Sequence, residues 1–120
     1  MSDRGVDGII QQRIAMIQTM APGLSIEFQI RKKEGEEYGL ITTIDENSGL
    51  RGLDFVETET SWLRRYALLQ YNEAVAQGYR VTVIVPDKSY PALKERLAQG
   101  GSSSIVLNSY GDLGFDQDSA

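Results

Sequence analysis

Two glutamates one residue apart, followed by two arginines, are the residues of this sequence best placed to do chemistry. Glu57 and Glu59 stand at the end of a predicted strand, and Arg64 and Arg65 stand at the start of a predicted helix. Carboxylates can hold a hard cation such as magnesium, and guanidinium groups beside the free amides of a helix start can bind phosphate. The same side chains could also neutralise one another or form a protein interface, so the sequence leaves these interpretations open.

A third carboxylate joins this group if the preceding strands pair as their turn suggests. With the tip of the turn near residue 48, Glu57 falls opposite Gly39 and Glu59 opposite Glu37. Like charges directly across a sheet are destabilising unless cations or water compensate them. This register predicts three carboxylates converging at one end of an antiparallel meander.

The two arginines oppose the dipole of the helix that they are predicted to begin, since cations are unfavourable in a first turn. Something must offset that cost. If the glutamates do so, the group is a structural ion-pair cluster, and if a phosphate does so, it is an anion site. We favour the ion pair.

Composition removes several classes of site. The 120 residues contain no cysteine and no histidine, which excludes disulfides, thiol catalysis and the commonest zinc and general-base residues. A net charge of -5 repels polyanions, so a protein partner or self-association is expected rather than nucleic acid. No apolar run could cross a bilayer, and we expect a cytoplasmic protein with no membrane contact and no haem, flavin or zinc.

The elements that must position these residues alternate between helical and strand periodicity. Val6, Ile10, Ile14 and Ile17 form a helical stripe, and "LSIEFQIRKK" alternates apolar and polar residues as a strand does. "YGLITTI" completes a hairpin over residues 24 to 44, and "LRGLDFVET" adds a third antiparallel strand. The next elements are a helix from about Trp62 to Gln77 and the strand "YRVTVIVP", which is covered on both faces. A helix after Ser89 and the strand "SSIVLN" complete the order.

The predicted fold is therefore a single α/β domain over residues 1–120 with the order αβββαβαβ. Its mixed sheet combines a three-strand antiparallel meander with two parallel strands, flanked by about three helices. We place the ordered core at about residues 5–108. An acidic tail over about 109–120 is expected to be mobile unless Leu113 and Phe115 dock on the body.

This element order, together with "FVETET" at the end of the third strand, resembles the PD-(D/E)xK superfamily of restriction-endonuclease-like nucleases. In that family an Asp, often after Pro, begins the second strand and Glu-x-Lys ends the third, and together they hold magnesium and activate water for phosphodiester cleavage. Here Glu57-Thr58-Glu59 stands in the Glu-x-Lys place, with Glu59 where Lys is usual.

The other family positions also depart from the pattern. Tyr38-Gly39 stands where Pro-Asp is expected, and Glu36 or Glu37 would have to substitute for the missing acid. The Gln-x-x-x-Tyr helix motif of some members is missing too, because Ala74 follows four residues after Gln70. The resemblance thus implies a nuclease-like fold with a degenerate site.

Three functions follow as expectations. The leading one is a small soluble domain that is not an enzyme and works as a binding or regulatory module, alone or as a dimer. The second is a magnesium-dependent nuclease in which Glu37, Glu57 and Glu59 hold the metal and one arginine of the pair grips a phosphate. The third is a protein-interaction domain unrelated to nucleic acid. Magnesium is expected only under the second.

Overall fold

The structure, a computed structural model, describes residues 5–116 and contains the helices and strands in the order that the sequence predicts. The helices are α1 (Gly5–Met20), α2 (Ala67–Ala76) and α3 (Tyr90–Gly100). The strands are β1 (Leu24–Lys33), β2 (Glu36–Asp45), β3 (Arg51–Val56), β4 (Arg80–Val85) and β5 (Val106–Ser109). They form one sheet in the order β1-β2-β3-β4-β5, antiparallel from β1 to β3 and parallel from β3 to β5. The predicted α/β class and mixed topology are confirmed.

Helix α1 covers one face of the sheet with its apolar stripe. Its buried residues pack against alternate residues of the strands beneath, because side chains on a strand point to the two faces in turn. The apolar core on this side consists of Val6, Ile9, Ile10, Ile17, Ile41, Val56, Ile84, Tyr110 and Phe115. This face anchors the start of the described chain to the centre of the sheet.

Helices α2 and α3 cover the opposite face. Tyr71 of α2 meets Phe55 of β3 edge to face, with ring centroids 4.8 Å apart, a geometry that aromatic pairs prefer. Strand β4 sends Val81, Val83 and Val85 to this face and Ile84 to the α1 face. It is therefore covered on both faces, as its uninterrupted apolar run predicts.

The register of the meander differs by one residue from the predicted one. Gly39 pairs with Val56, and β3 ends there, so Glu57 does not lie opposite Gly39. The turn sets this register: the Asp45 carboxylate accepts hydrogen bonds from the backbone N–H groups of Asn47 and Ser48, and Asp45 N–H donates to the Leu50 carbonyl at 2.9 Å. Four residues, 46–49, lie between Asp45 and Leu50, so the centre of the turn falls between residues 47 and 48. The predicted register places it on residue 48. A shift of one residue reverses the face to which every side chain points.

The helix after the meander begins later than predicted. Ser61–Leu63 form a short 3-10 turn, Arg64 is extended (φ -61°, ψ 151°), and the α-helix starts at Ala67. Neither arginine therefore lies in a helical first turn, and the predicted conflict with the helix dipole does not arise. After this extended residue, the Arg64 side chain reaches back to Glu57, just after β3, and lies over the Tyr38 ring of β2.

The C-terminal segment folds against α1 as far as Asp116. Tyr110 and Phe115 are buried, and Gln12 exchanges two hydrogen bonds with the backbone of Asp116, at 3.1 and 2.7 Å. The docked alternative for this tail is thus observed for Phe115, which is buried, and for Leu113, which is partly buried against the same cluster. The rest of the predicted tail, 117–120, lies outside the described residues. Within 5–116 no helix is long and apolar enough to cross a bilayer.

Candidate functional site

Glu57 is completely buried, immediately after β3. Its Oε1 accepts hydrogen bonds from Ser61 Oγ and from Arg64 Nη1, both at 2.6 Å. Its Oε2 accepts from Tyr71 OH at 2.7 Å and from Arg64 Nη2 at 3.2 Å. An ionised carboxylate has about four lone-pair positions. All of them are occupied by the protein itself.

Arg64 is bound as completely as its partner. Its side chain is nearly all buried, and its guanidinium lies over the Tyr38 ring at 3.6 Å. Beyond its two bonds to Glu57, it donates to the Ser61 carbonyl at 2.7 Å and to Gln70 Oε1 from Nη2 at 2.7 Å and Nε at 3.2 Å. A guanidinium has five N–H donors, and this geometry directs every one to an acceptor.

The pKa values of Arg64 and Tyr71 are both raised in this group. Burial alone would lower the pKa of Arg64, but the hydrogen bond and charge of Glu57 raise it, so Arg64 stays charged. Burial first, and then the charge of Glu57, raise the pKa of Tyr71 well above its usual value, so its hydroxyl remains a donor. Tyr38, Glu57, Ser61, Arg64, Gln70 and Tyr71 are named here the Glu57 cluster.

A further tyrosine fixes the backbone of Glu57. Tyr110, just after β5, donates a hydrogen bond from its hydroxyl to the Glu57 carbonyl, and burial raises the pKa of Tyr110. The Glu57 N–H donates to the Ile84 carbonyl of β4 at 2.8 Å. The Glu57 cluster and these two bonds therefore join the ends of four neighbouring strands, β2 to β5, to α2.

The structure brings together only two of the five residues singled out in the sequence. Glu59 is exposed and pairs with Lys88 Nζ at 2.9 Å. Glu37 is exposed on β2, opposite Lys32 of β1. Arg65 is exposed, and its backbone N–H donates to the Glu34 carboxylate. The predicted ion pair is therefore observed for Glu57 and Arg64, and Glu37, Glu59 and Arg65 lie outside it.

The prediction that three carboxylates converge is wrong. In the part of the chain that the structure describes, no group of three or more acidic side chains is placed to hold a metal ion. Position 39, where the nuclease family would carry its Asp, is also closed: a Cβ on Gly39 would lie 2.4 Å from Cδ1 of Ile10. The residues present do not fit the magnesium site that the resemblance implies.

An open cleft lies beside the Glu57 cluster, at the carboxyl ends of β3 and β4. It encloses about 560 Å³. Ligands of open α/β sheets bind in the crevice outside the carboxyl ends of parallel strands. We call it the strand-end cleft, and it is lined by Gly5, Thr58, Glu59, Thr60, Pro86, Asp87, Lys88 and Tyr110.

The strand assignment alone carries a signal for this cleft. Residues that follow parallel strands meet at one edge of a sheet, and Thr58 and Lys88 come two and three residues after β3 and β4. Of the predicted site residues, only Glu59 lines the cleft. Asp87 is tied down there by the Gly111 N–H at 2.7 Å.

A buried acid on the other face of β3 was also missed. Asp54 accepts a hydrogen bond from Arg13 Nε of α1 at 2.7 Å and borders a second cavity of about 300 Å³. Burial raises the pKa of Asp54, although the charge of Arg13 acts in the opposite direction. An acid inside the apolar run "LDFV" was the available signal, because a charge in such a position needs a partner.

No protein-family model, curated protein or solved structure matches this chain. The resemblance to PD-(D/E)xK nucleases therefore rests on the element order and on the few residues at the end of β3. Function has to follow from the two features described above: a buried glutamate with every acceptor position filled, and an open cleft beside it.

Proposed function

We propose that the protein is a non-catalytic binding domain with a nuclease-like fold, in which the glutamate of the reaction centre has become a structural residue. The observation that carries this proposal is the complete hydrogen bonding of Glu57. A catalytic carboxylate needs a free lone pair for a metal ion or a water molecule. Glu57 offers none, and freeing one would strand the buried charge of Arg64.

The remaining positions of the family motif support the same proposal. Gly39 carries no acid and is packed beneath Ile10, and Glu59 replaces the lysine of Glu-x-Lys and points to solvent. Without the first acid and the lysine, the motif positions themselves supply no pair of groups to bind the metal and orient the attacking water.

One surface available for binding is the strand-end cleft. Its charged side chains are of both signs, Glu59 and Asp87 against Lys88, and the chain carries a net charge of -5. A polyanion binds tightly where several closely spaced cations of the protein displace its counterions, and the described lining of this cleft contains only one cation, Lys88. A protein segment with its own mixed charges suits it better.

A magnesium-dependent nuclease is the second candidate, and one observation favours it. Lys88 Nζ lies 2.9 Å from Glu59 in the strand-end cleft, so a lysine from the end of β4 stands near the place that the motif gives to lysine. In this candidate the cleft, and not the Glu57 cluster, would be the reaction centre.

A cleavage assay separates the two candidates. Wild-type protein and the Glu59→Gln and Lys88→Met variants are incubated with single-stranded and double-stranded DNA and RNA in magnesium or manganese. Glu73→Gln, which alters an exposed acid on α2, is the matched control. We expect no cleavage by any of them. Cleavage by the wild type and the control that disappears in both cleft variants, with unchanged thermal stability, would overturn the proposal.

A metal titration followed by amide NMR shifts tests the same point without activity. The non-catalytic proposal expects no saturable shifts at Thr58, Glu59 or Lys88 with magnesium or manganese. Localised and saturable shifts there would instead support the nuclease candidate.

A further inference from the structure

Strand β1 is an open edge of the sheet with an exposed apolar face. It is ten residues long, it pairs with β2 on one side, and no described strand pairs with its other side. Phe28 and Ile30 are 47% and 43% exposed, although they lie on the face that α1 packs against. Long edge strands with exposed apolar side chains are templates for pairing with another strand.

The sequence of β1 is complementary to itself when two copies run antiparallel. A two-fold axis through Gln29, perpendicular to the sheet, sets Glu27 of one copy opposite Arg31 of the other, and does so twice. The same axis sets Phe28 opposite Ile30, also twice, on the apolar face. Opposite charges and apolar pairs directly across antiparallel strands are both stabilising.

Each neighbouring register keeps only half of this match. With the axis at Phe28 the apolar side chains still meet, but Glu27 falls opposite Gln29 and the charge pairs are lost. With the axis at Ile30, Glu27 falls opposite Lys33, but Phe28 falls opposite Lys32. Registers between these would set side chains of different faces opposite one another, which the pleat of paired strands does not allow. Among these positions, only Gln29 sets Glu27 opposite Arg31 and also gives Phe28 and Ile30 apolar partners; Ile26 then falls opposite Lys32, nearer the end of the pairing.

We infer that the partner of this domain is a second copy of the same chain, paired through β1 about Gln29 to form a continuous ten-stranded sheet, two of the five-stranded sheets joined edge to edge. The pairing covers Phe28 and Ile30 and satisfies the outward backbone groups of β1. Because β2 separates β1 from β3, each copy keeps its strand-end cleft open. The function of this dimer rests on the proposed binding role. The pairing geometry rests on β1 alone.

Charge reversal tests the pairing directly. Glu27→Arg makes both members of each cross-strand charge pair cationic, and Arg31→Glu makes both of them anionic. Both native side chains are exposed, so the monomer fold is expected to survive each change. Each variant should self-associate at least about tenfold more weakly than the wild type, because both cross-strand pairs become repulsive.

An equal mixture of the two variants provides the decisive comparison. The Glu27→Arg copy carries cations at positions 27 and 31, and the Arg31→Glu copy carries anions at both. In a mixed pair about Gln29 every one of these charges again faces its opposite, so we expect the mixture to recover association. Sedimentation velocity from about 10 μM to about 1 mM, a range that covers weak dimers, measures all three samples.

A crosslink tests the register. The chain has no cysteine, so Gln29→Cys introduces a single thiol that meets its own counterpart in the second copy across the axis. Directly opposite residues have Cβ atoms about 4.5–5.5 Å apart, close to disulfide geometry. We expect a disulfide dimer under mild oxidation, and none for Leu69→Cys, an exposed control on α2.

Three results would overturn the inference: a wild type that stays monomeric to about 1 mM, unchanged dimer affinity in Glu27→Arg, or a mixture that fails to associate. The cleavage assay is run on the same samples. A dimer that cleaves nucleic acid would contradict the proposed function and support the β1 interface. A monomer that cleaves nothing would contradict the interface and support the proposed function.

Discussion

At the residue scale, Glu57 is a structural residue in a place that the sequence marks for chemistry. Burying a carboxylate and a guanidinium costs several kcal/mol of solvation, about as much as their attraction returns, unless further hydrogen bonds satisfy both groups. Here Ser61, Gln70 and Tyr71 supply those bonds. Removing one side chain of the Glu57 cluster should therefore lower the unfolding free energy far more than removing an exposed charge.

Glu57→Gln is expected to lower the free energy of unfolding by about 3–5 kcal/mol, because it leaves the buried charge of Arg64 without its counter-charge. Urea unfolding measures the change. Glu59→Gln, which breaks an exposed pair with Lys88, should change it by less than about 1 kcal/mol. Equal effects of the two substitutions would contradict the structural role of Glu57.

Asp54 predicts a distinct pH dependence. Its pKa is raised in the folded state, so the unfolded chain loses this proton at a lower pH than the folded one. The contribution of Asp54 to stability is complete below the unfolded pKa of about 3.9 and is lost as pH rises through the folded pKa. Asp54→Asn should remove that fall, measured as the unfolding free energy from acid to neutral pH. Parallel pH profiles of the unfolding free energy in the wild type and Asp54→Asn would contradict this prediction.

At the element scale, the register of the meander decides which side chains share a face. The turn after β2 is held by the Asp45 carboxylate, whose pKa is lowered by hydrogen bonds, first from the backbone N–H of Asn47. Gly49 completes it with a φ of 77°, a conformation that favours glycine. This turn places Gly39 under α1 and directs Glu57 to the opposite face.

Gly39→Ala tests the close approach of α1 to β2. The new Cβ would lie 2.4 Å from Ile10 Cδ1, so we expect a loss of about 1–3 kcal/mol, as for an overpacked core. The loss should shrink in an Ile10→Ala background, since that variant removes the clashing atoms. Gly23→Ala, where a Cβ meets nothing within 4 Å, is the control and should be near neutral by thermal unfolding. If the losses of unfolding free energy in Gly39→Ala and Ile10→Ala simply added in the double variant, the close approach of residues 39 and 10 would be refuted.

At the scale of the whole molecule, the C-terminal segment closes the core on the α1 side. Phe115 packs into the same apolar cluster as Ile9 and Ile17 of α1, and Gln12 holds the backbone of Asp116. Helix α1 and the C-terminal segment therefore pack together on one face of the sheet.

Phe115→Ala is expected to cost about 3 kcal/mol of unfolding free energy, as large-to-small core substitutions do, and to speed hydrogen exchange in α1. Leu63→Ala, at a site that is half exposed, is the control and should cost much less. If Phe115→Ala left both stability and exchange unchanged, the segment would not contribute to the core.

Much of the fold followed from local pattern. The stripe of α1, the alternation of β1 and the apolar run of β4 each reflect which faces a segment buries, and burial is recorded in side-chain type. The site followed less well. The ion pair of Glu57 with Arg64 was among the interpretations, but the place of Arg64 ahead of α2 was not, because a single extended residue leaves no periodic signal.

The sequence by itself determined the order and type of the elements, the mixed sheet and the absence of cysteine and histidine chemistry, because periodicity and composition are properties of short segments. Tertiary structure alone decided that Glu57 is buried and satisfied, that Glu37 and Glu59 stand apart from it, and that a cleft opens beyond β3 and β4. The physical reason is that one residue of register, set by the hydrogen bonds of a single turn, exchanges the two faces of a strand.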